Sequence, residues 1–356
     1  MKRKGNLWAK IIDPENIYMA YRAARKSKGD RHCVKEFEKN LQENLAAIRQ
    51  ALIDKTFTTA PYVQKEIHEP KKRTIFILPF APDRIVQHAL MRIVEPIWDK
   101  LMIHDSYACR KKKGIHVASQ RTMEYVRRNT WALQCDISKF YPSIQHDTAF
   151  EIVQRKIKCP DMLWLLHDII YSIKGGSNVP IGNYTSQWLG NLYLNEVDQL
   201  LKHQYKVKDY LRYCDDFILF DNDKQSLKEL AVVITDYCRD KLGMKLSCCN
   251  LFPTSQGVDF VGYRHFRKYV LLRKSTAKRM KRRIKSLPWL LKHKIINVDQ
   301  YRSSVASAAG WLKWANTHNL QVSLDLQRAA KDVKRLEEIR RFRDGTTAAR
   351  RQESEA

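Results

Sequence analysis

No apolar run in this sequence approaches the ~18 residues that a membrane-spanning helix needs. The first residues, Lys2-Arg3-Lys4 and then Leu7-Trp8-Ala9-Lys10, lack the apolar core of a signal peptide. Both absences lead to the expectation of a soluble, intracellular protein. The eight cysteines form no Cys-x-x-Cys pair, and Cys248 and Cys249 are too adjacent to bridge each other comfortably. That argues against structural zinc and a secreted disulfide framework, and for reduced, mostly buried thiols. No internal repeat is visible. Acidic charge is the remaining shortage: 38 Asp and Glu stand against 65 Lys and Arg, a net charge of +27, with a sequence pI near 9.8. A solvated basic surface is the bland explanation. An excess this large, spread over the whole length, is also the electrostatic footprint of a nucleic-acid binder.

What is present begins with length. The chain's 356 residues amount to two or three domains and can bury a large core. From Asn16 to about Phe57 the pattern is helical, with Phe37, Leu41, Leu45, Ile48 and Leu52 spaced by three and four. The runs Tyr62 to Ile67 and Thr74 to Leu78 flank Glu69-Pro70-Lys71-Lys72-Arg73, a hairpin with a basic tip suited to a phosphate backbone. A helix follows Pro82-Asp83-Arg84. Arg110-Lys111-Lys112-Lys113-Gly114 is a cation run ending in glycine, either a solvated face or a loop able to fold close to a ligand's phosphates. Val179 to Gln187 is a Gly-bearing loop running into a helix, either a backbone seat for a base or nucleotide or a plain helix start capped by Asn183 or Thr185. Ser226 to Leu242 reads as a helix ended by Gly243, and Val258 to Tyr263 as a strand. Beyond Arg273 the composition turns helical and basic, with Lys278-Arg279-Met280-Lys281-Arg282-Arg283 and, later, Trp311 and Trp314. Such a region suits a nucleic acid held by its backbone. The stretch from about Arg343 is polar, with a disordered tail expected.

The centre of the chain is Tyr213-Cys214-Asp215-Asp216, flanked by Tyr210-Leu211-Arg212 and Phe217-Ile218-Leu219-Phe220. These flanks read as two buried strands with a turn at the acids. Side by side in a low dielectric, two carboxylates resist joint ionisation unless a cation neutralises them. An ordinary Asp-rich turn is the competing reading. Trp131 to Ile137 is a further apolar run that delivers Asp136. Beside the turn, Asp136 would complete a three-carboxylate cage able to hold two metals for phosphoryl chemistry. Taken alone, it is equally a turn or N-cap residue.

In order, these segments resemble a reverse transcriptase, over roughly residues 60 to 275. Asp83 to Gln87 is similar to the first fingers motif, Ser106 to Gly114 to the second, Asp136 with Tyr141 to the palm motif carrying the first acid, and Tyr213 to Asp216 to the one carrying the other two. Val258 to Tyr263 is similar to the primer-grip strand. Ile181-Gly182-Asn183-Tyr184-Thr185-Ser186-Gln187 resembles the diversity-generating retroelement type, which has an aliphatic residue first and Ser-Gln last where most relatives have Gln and Ser-Pro.

The resemblance implies an α+β right-hand polymerase: a helical N-terminal extension over 1–60, fingers over 61–130, and a palm with an antiparallel sheet over 131–272. A basic helical thumb over 273–342 and the tail 343–356 would follow. Asp136, Asp215 and Asp216 would be the catalytic acids, binding two Mg²⁺ ions (Mn²⁺ as substitute) with the Ile137 carbonyl. Arg110 and Lys113 would face the triphosphate, Tyr141 would lie under the ribose, and Ile181, Gly182 and Gln187 would contact nucleotide and template. Where the family often has a proton-donating Lys, this chain has Asn250, with Lys245 nearby, so no lysine is assigned that role. The implied partners are a template RNA, its cDNA, deoxynucleoside triphosphates and a small basic, oligomeric accessory protein, in a bacterial cytoplasm. No length is left over for an RNase H or endonuclease domain. Another bacterial reverse transcriptase, of retron, intron-maturase or phage-defence type, and a non-polymerising RNA-binding scaffold stay open.

Overall fold

The computed structural model describes residues 3–68, 72–325, 328 and 331–335. Most of the basic tip at 69–73 and the whole tail expected from Arg343 therefore lie outside the described residues. The chain forms two compact units, one from residues 1–114 and 132–251, the other from 115–131 and 252–356.

In the first unit the N-terminal helical region divides into Trp8–Ile11, Pro14–Arg25, His32–Lys39 and Leu41–Ile53. Asp13 caps the second of these, accepting from the Glu15 and Asn16 amides, with Pro14 at its first position. Asn16, Ile17, Ala20, Tyr21 and Ala24 form its buried face, which packs on helix Ile85–Asp99. Asn16 is the buried polar member of that face, and it is satisfied: Nδ2 donates to Ile11 O and Ala89 O, and Oδ1 accepts from Arg92 Nε. β1 (Val63–Ile67) and β2 (Arg73–Ile77) form the expected antiparallel hairpin, with Val63 opposite Ile77.

A four-stranded sheet follows. β3 spans Trp131–Ile137, β4 Asp209–Tyr213, β5 Asp216–Asp221 and β6 Leu246–Pro253, in the order β4-β5-β3-β6. β6 carries no clear strand signal, because Ser247, Cys248, Cys249 and Asn250 interrupt its apolar pattern. Helix Tyr184–Gln199 is buried on nearly every side, from Thr185 and Trp188 to Val197 and Asp198, so it is an internal strut rather than a surface amphipathic helix. Helix Lys224–Leu242 ends at Gly243, which has φ +61 and caps it as its sequence implies.

The second unit is built on helix Ile115–Arg128 and a sheet of β7 (Val258–Phe260), β8 (Tyr263–His265) and β9 (Val270–Leu272), in that order. The single strand expected over Val258 to Tyr263 is instead a hairpin, turning at Val261 (φ +46) and Gly262 (φ +86). Helices Lys274–Lys292 and Val298–Leu312 close over Tyr263, Leu272, Met280, Ile284, Leu287, Tyr301 and Val305. Lys278, Arg279, Lys281, Arg282 and Arg283 are exposed along the first of them. Trp311 and Trp314 are half-buried: Trp311 packs on Tyr263, and Trp314 stacks on His116 with centroids 5.2 Å apart. No helix among the described residues is long and apolar enough to cross a membrane.

Candidate active site

β4 and β5 form the hairpin that their apolar, β-rich runs imply, with Tyr213 opposite Asp216 and only Cys214 and Asp215 in the turn. Cys214 takes φ +55, a left-handed conformation that costs a non-glycine residue roughly 1–2 kcal/mol. Asp216 opens β5, and β3 runs beside it. Gln134 of β3 donates from Nε2 to Asp216 Oδ1 at 3.0 Å, which fixes the neighbourhood of the two strands. Asp136, two residues further along β3, lies on the same half-buried face as Gln134, while Leu133, Cys135 and Ile137 face the interior. From β6, Ser247 Oγ donates to Asp136 Oδ2 at 2.7 Å.

The electrostatics gather the acids at this end of the sheet. The Cys248 thiol is held above its ordinary range by burial and then by the charges of Asp136 and Asp216. The Tyr141 phenol is likewise held well above its range, by burial first and then by the neighbouring Cys214 and Cys109 thiols and Asp215. Tyr141 therefore sits among the acid turn and the loop bearing Cys109. A Cβ built on Gly190 would come within 3.2 Å of the Tyr141 ring and 3.0 Å of the Phe140 ring, so the absence of a side chain there lets both rings press on the strut helix. The Tyr141 carbonyl accepts from Val179 N at 3.0 Å, just ahead of the Gly-bearing loop.

That loop is tied to the β1–β2 hairpin. Phe76 N donates to Ile181 O at 2.8 Å. Gly182 has φ +115, and a Cβ there would meet Phe76 O at 3.1 Å, so both the backbone conformation and the close strand call for glycine. Ile181 is half-buried and Gln187 is exposed on the first turn of helix Tyr184–Gln199. Asn183 stands at its N-cap without a side-chain cap bond.

The cation run behaves differently along its length. Arg110 turns inward, its side chain 9 % exposed. Its Nε donates to Asp99 Oδ1 at 2.6 Å, Nη1 to Ile103 O and Ser106 O, and Nη2 to Asp99 O. This arginine locks the loop's own backbone. Lys113 Nζ donates to His104 O at 2.7 Å and lies 5.0 Å from the centre of the Tyr107 ring. Lys111 and Lys112 are exposed. Asn250 lies within β6 rather than in a loop, and Lys245 O accepts from Ser138 N at 2.8 Å.

Among the described residues no group of three or more His, Cys, Asp and Glu side chains is arranged to hold a metal ion. The donor chemistry nevertheless suits a hard divalent cation, since the half-buried carboxylates of Asp136 and Asp216 offer the oxygen ligands that such an ion takes. Two carboxylates acting on one thiol leave a local excess of negative charge that a cation would neutralise.

Sequence reasoning missed the support beneath the turn. Arg212 and Asp198 form an ion pair whose side chains are 1 % and 0 % exposed. Burial alone would lower the Arg212 pKa; the adjacent Asp198 carboxylate more than offsets this and holds it above the usual range. Tyr210 OH also donates to Asp198 Oδ1 at 2.6 Å. The available signal was a charged residue inside an otherwise apolar strand run, which rarely stays buried unless paired.

A family model described as reverse transcriptase (RNA-dependent DNA polymerase) matches residues 63–265. Protein YkfC of Escherichia coli is 27 % identical over 286 residues, covering 64 % of this chain and 74 % of that protein. The group II intron-encoded protein LtrA of Lactococcus lactis is 25 % identical over 217 residues, covering 57 % of this chain and only 36 % of LtrA. Among solved structures, apo telomerase from Candida tropicalis, truncated from its C-terminal domain, aligns at a TM-score of 0.46 and 13 % identity. That alignment covers 65 % of this chain and 60 % of the telomerase chain.

Proposed function

The chain belongs to the reverse transcriptase (RNA-dependent DNA polymerase) family, and from that premise we propose that it copies a template-repeat RNA into adenine-mutagenised cDNA for transfer into a variable gene. The fold is the α+β right hand of polymerases and the enzyme is an RNA-directed DNA polymerase. The observation that carries the finer reading is Ile181-Gly182-Asn183-Tyr184-Thr185-Ser186-Gln187, which resembles the diversity-generating type in having Ile181 first and Gln187 last.

In this reading Asp136 and Asp215, with the Ile137 carbonyl, would hold two Mg²⁺ ions, with Asp216 close by. Bound there, the ions would supply charge neutralisation for an attacking primer hydroxyl and a departing pyrophosphate. The chain's own residues do the positioning. Ser247 and Gln134 orient the Asp136 and Asp216 carboxylates through hydrogen bonds. Tyr141 lies under the incoming ribose, and its ring excludes a 2′-hydroxyl. Ile181, Gly182 and Gln187 contact the nucleotide and template. Arg110 serves the triphosphate indirectly, by shaping the loop that presents Lys111 to Lys113. A small basic accessory protein, itself oligomeric, assists on the RNA.

A second reading, a bacterial reverse transcriptase of another type, is favoured by the similarity to YkfC and LtrA. Sequencing cDNA made on the neighbouring template RNA separates the two. Substitutions concentrated at template adenines support the first; errors spread evenly over the four bases reject it in favour of the second. Ile181→Gln sharpens the test, because glutamine restores a side chain able to hydrogen-bond to the nucleotide or nearby backbone. One such bond, roughly 0.5–1.5 kcal/mol, should lower adenine misincorporation about two- to twelve-fold in an active, folded enzyme.

A further inference from the structure

The Cys214-Asp215 turn is short, and Cys214 holds a left-handed conformation, so something outside the turn must fix it. Arg212 reaches into the turn from the strand before it. Its Nη1 donates to Cys214 O at 3.0 Å, the carbonyl of the peptide that leads into Asp215. Every other donor of the same guanidinium is anchored to one face of helix Tyr184–Gln199. Nε donates to Asp198 Oδ1 and Oδ2 at 2.8 and 3.1 Å, and Nη2 to Asp198 Oδ2 at 2.6 Å. Nη1 also reaches Asn191 Oδ1 at 3.1 Å, and Nη2 reaches Asn191 O at 3.3 Å. The planar fork is therefore rigidly seated on the helix and presents one N–H to the turn. Asn191 in turn donates from Nδ2 to Ala108 O at 2.9 Å, in the loop that carries the cation run. The Arg212 backbone meets the same segment, its N–H donating to Asp105 O and its carbonyl accepting from Tyr107 N.

We infer that Arg212 is a positioning residue: seated by Asp198 and Asn191, it sets the orientation of the Cys214–Asp215 peptide, and so of the Asp215 carboxylate, relative to the loop of residues 106–114. The inference rests on the reading of Asp215 as a catalytic acid. The competing account is that the ion pair merely stabilises the interior. Buried pairs replaced by well-packed apolar residues often leave stability unchanged or improved, so the two accounts can be separated by keeping the packing and removing the bond.

The test uses the full chain with a primed template RNA, comparing wild type, Arg212→Lys, and a combined Arg212→Met, Asp198→Leu and Tyr210→Phe variant. The combined variant removes the charges and the hydroxyl together and keeps the volume. Steady-state primer extension gives kcat and the dNTP KM, and equilibrium binding gives RNA affinity. Thermal melting and hydrogen exchange over residues 213–217 are measured in parallel. A reacting group misplaced by about 1 Å costs up to about 100-fold in rate, so kcat should fall roughly 10- to 100-fold in the combined variant. Its dNTP KM, RNA affinity and melting temperature should stay near wild type, and exchange over the turn should quicken. Arg212→Lys should recover part of kcat, since an ammonium can face Asp198 and still reach one further acceptor. Full kcat in a folded combined variant overturns the proposal. So does a loss of kcat that only follows the melting temperature, or failure of both variants to fold, because a purely structural role explains each. Asp215→Asn is run alongside: if it still extends primers, the assignment of Asp215 fails, independently of Arg212.

Discussion

Replacing Gly182 with alanine adds one methyl group at the junction of the Gly-bearing loop and β2, and both consequences can be worked from the structure. Gly182 has φ +115, so alanine would hold a sparsely populated backbone conformation at a cost of roughly 1–3 kcal/mol. The new Cβ would also stand 3.1 Å from Phe76 O, which must retreat, loosening the Phe76 N to Ile181 O bond worth roughly 0.5–1.5 kcal/mol. The two terms have the same sign and together come to about 1.5–4.5 kcal/mol. A domain of ordinary stability, about 5–15 kcal/mol, remains folded under that load. The loop itself would leave its native conformation, and a site populated only fractionally binds more weakly by that fraction. The dNTP KM should therefore rise between about ten-fold and two-thousand-fold, towards the lower end because the two-stranded hairpin can yield. Primer extension across a dNTP titration measures this, with a thermal melt as control for folding. A KM within two-fold of wild type would refute the reasoning, since it would mean that the loop's conformation and its tie to β2 do not govern nucleotide binding.

Asp215→Asn should abolish synthesis while template binding stays within about two-fold, because it removes one charge and almost no volume; primer extension and a binding titration on the same preparation check both halves. Tyr141→Ala should admit ribonucleotides more readily, and an unchanged ratio of dNTP to rNTP incorporation would show that the ring is not the gate. RNA affinity should fall steeply with salt, as the +27 charge excess displaces condensed counterions. A nearly flat plot of log affinity against log salt would contradict that.

The acid hairpin was legible because two signals coincide: β-rich apolar flanks set the strands, and adjacent carboxylates mark the turn. Strand pairing between β3 and β5 was not, since nothing local in Trp131 to Ile137 says which strand lies beside it. The resemblance supplied the expectation that Asp136 lies near the turn, and the Gln134–Asp216 bond fixes the neighbouring strands. Arg110 illustrates the opposite difficulty. A cation in a cation run looks solvated or ligand-facing, but its direction depends on Asp99 and on three carbonyls that only the folded loop assembles. The partners of Trp311 and Trp314 were hidden for the same reason, since Tyr263 and His116 reach them only in the folded unit. β6 escaped notice because Ser247, Cys248, Cys249 and Asn250 break its apolar pattern, and Ser247 serves the site rather than the core.

The second unit takes its first helix, Ile115–Arg128, from the middle of the chain, and its partners come much later. Ser119 Oγ meets His265 Nε2 across 146 positions of sequence, and His116 meets Tyr263 across 147. During synthesis at about 5–20 residues per second, the ribosome needs roughly 7–30 s to cover that interval. Throughout it the helix carries Ala118, Thr122, Met123, Tyr125 and Val126 with their eventual cover still unmade. The unit thus begins to close only when the strands β7 and β8 arrive, and β9 and the helices after it complete the cover. A gene cut at residue 252 would leave one product with an uncovered apolar helix and the other without its founding one, so the C-terminal region cannot be exchanged between relatives as a cassette unless residues 115–131 travel with it.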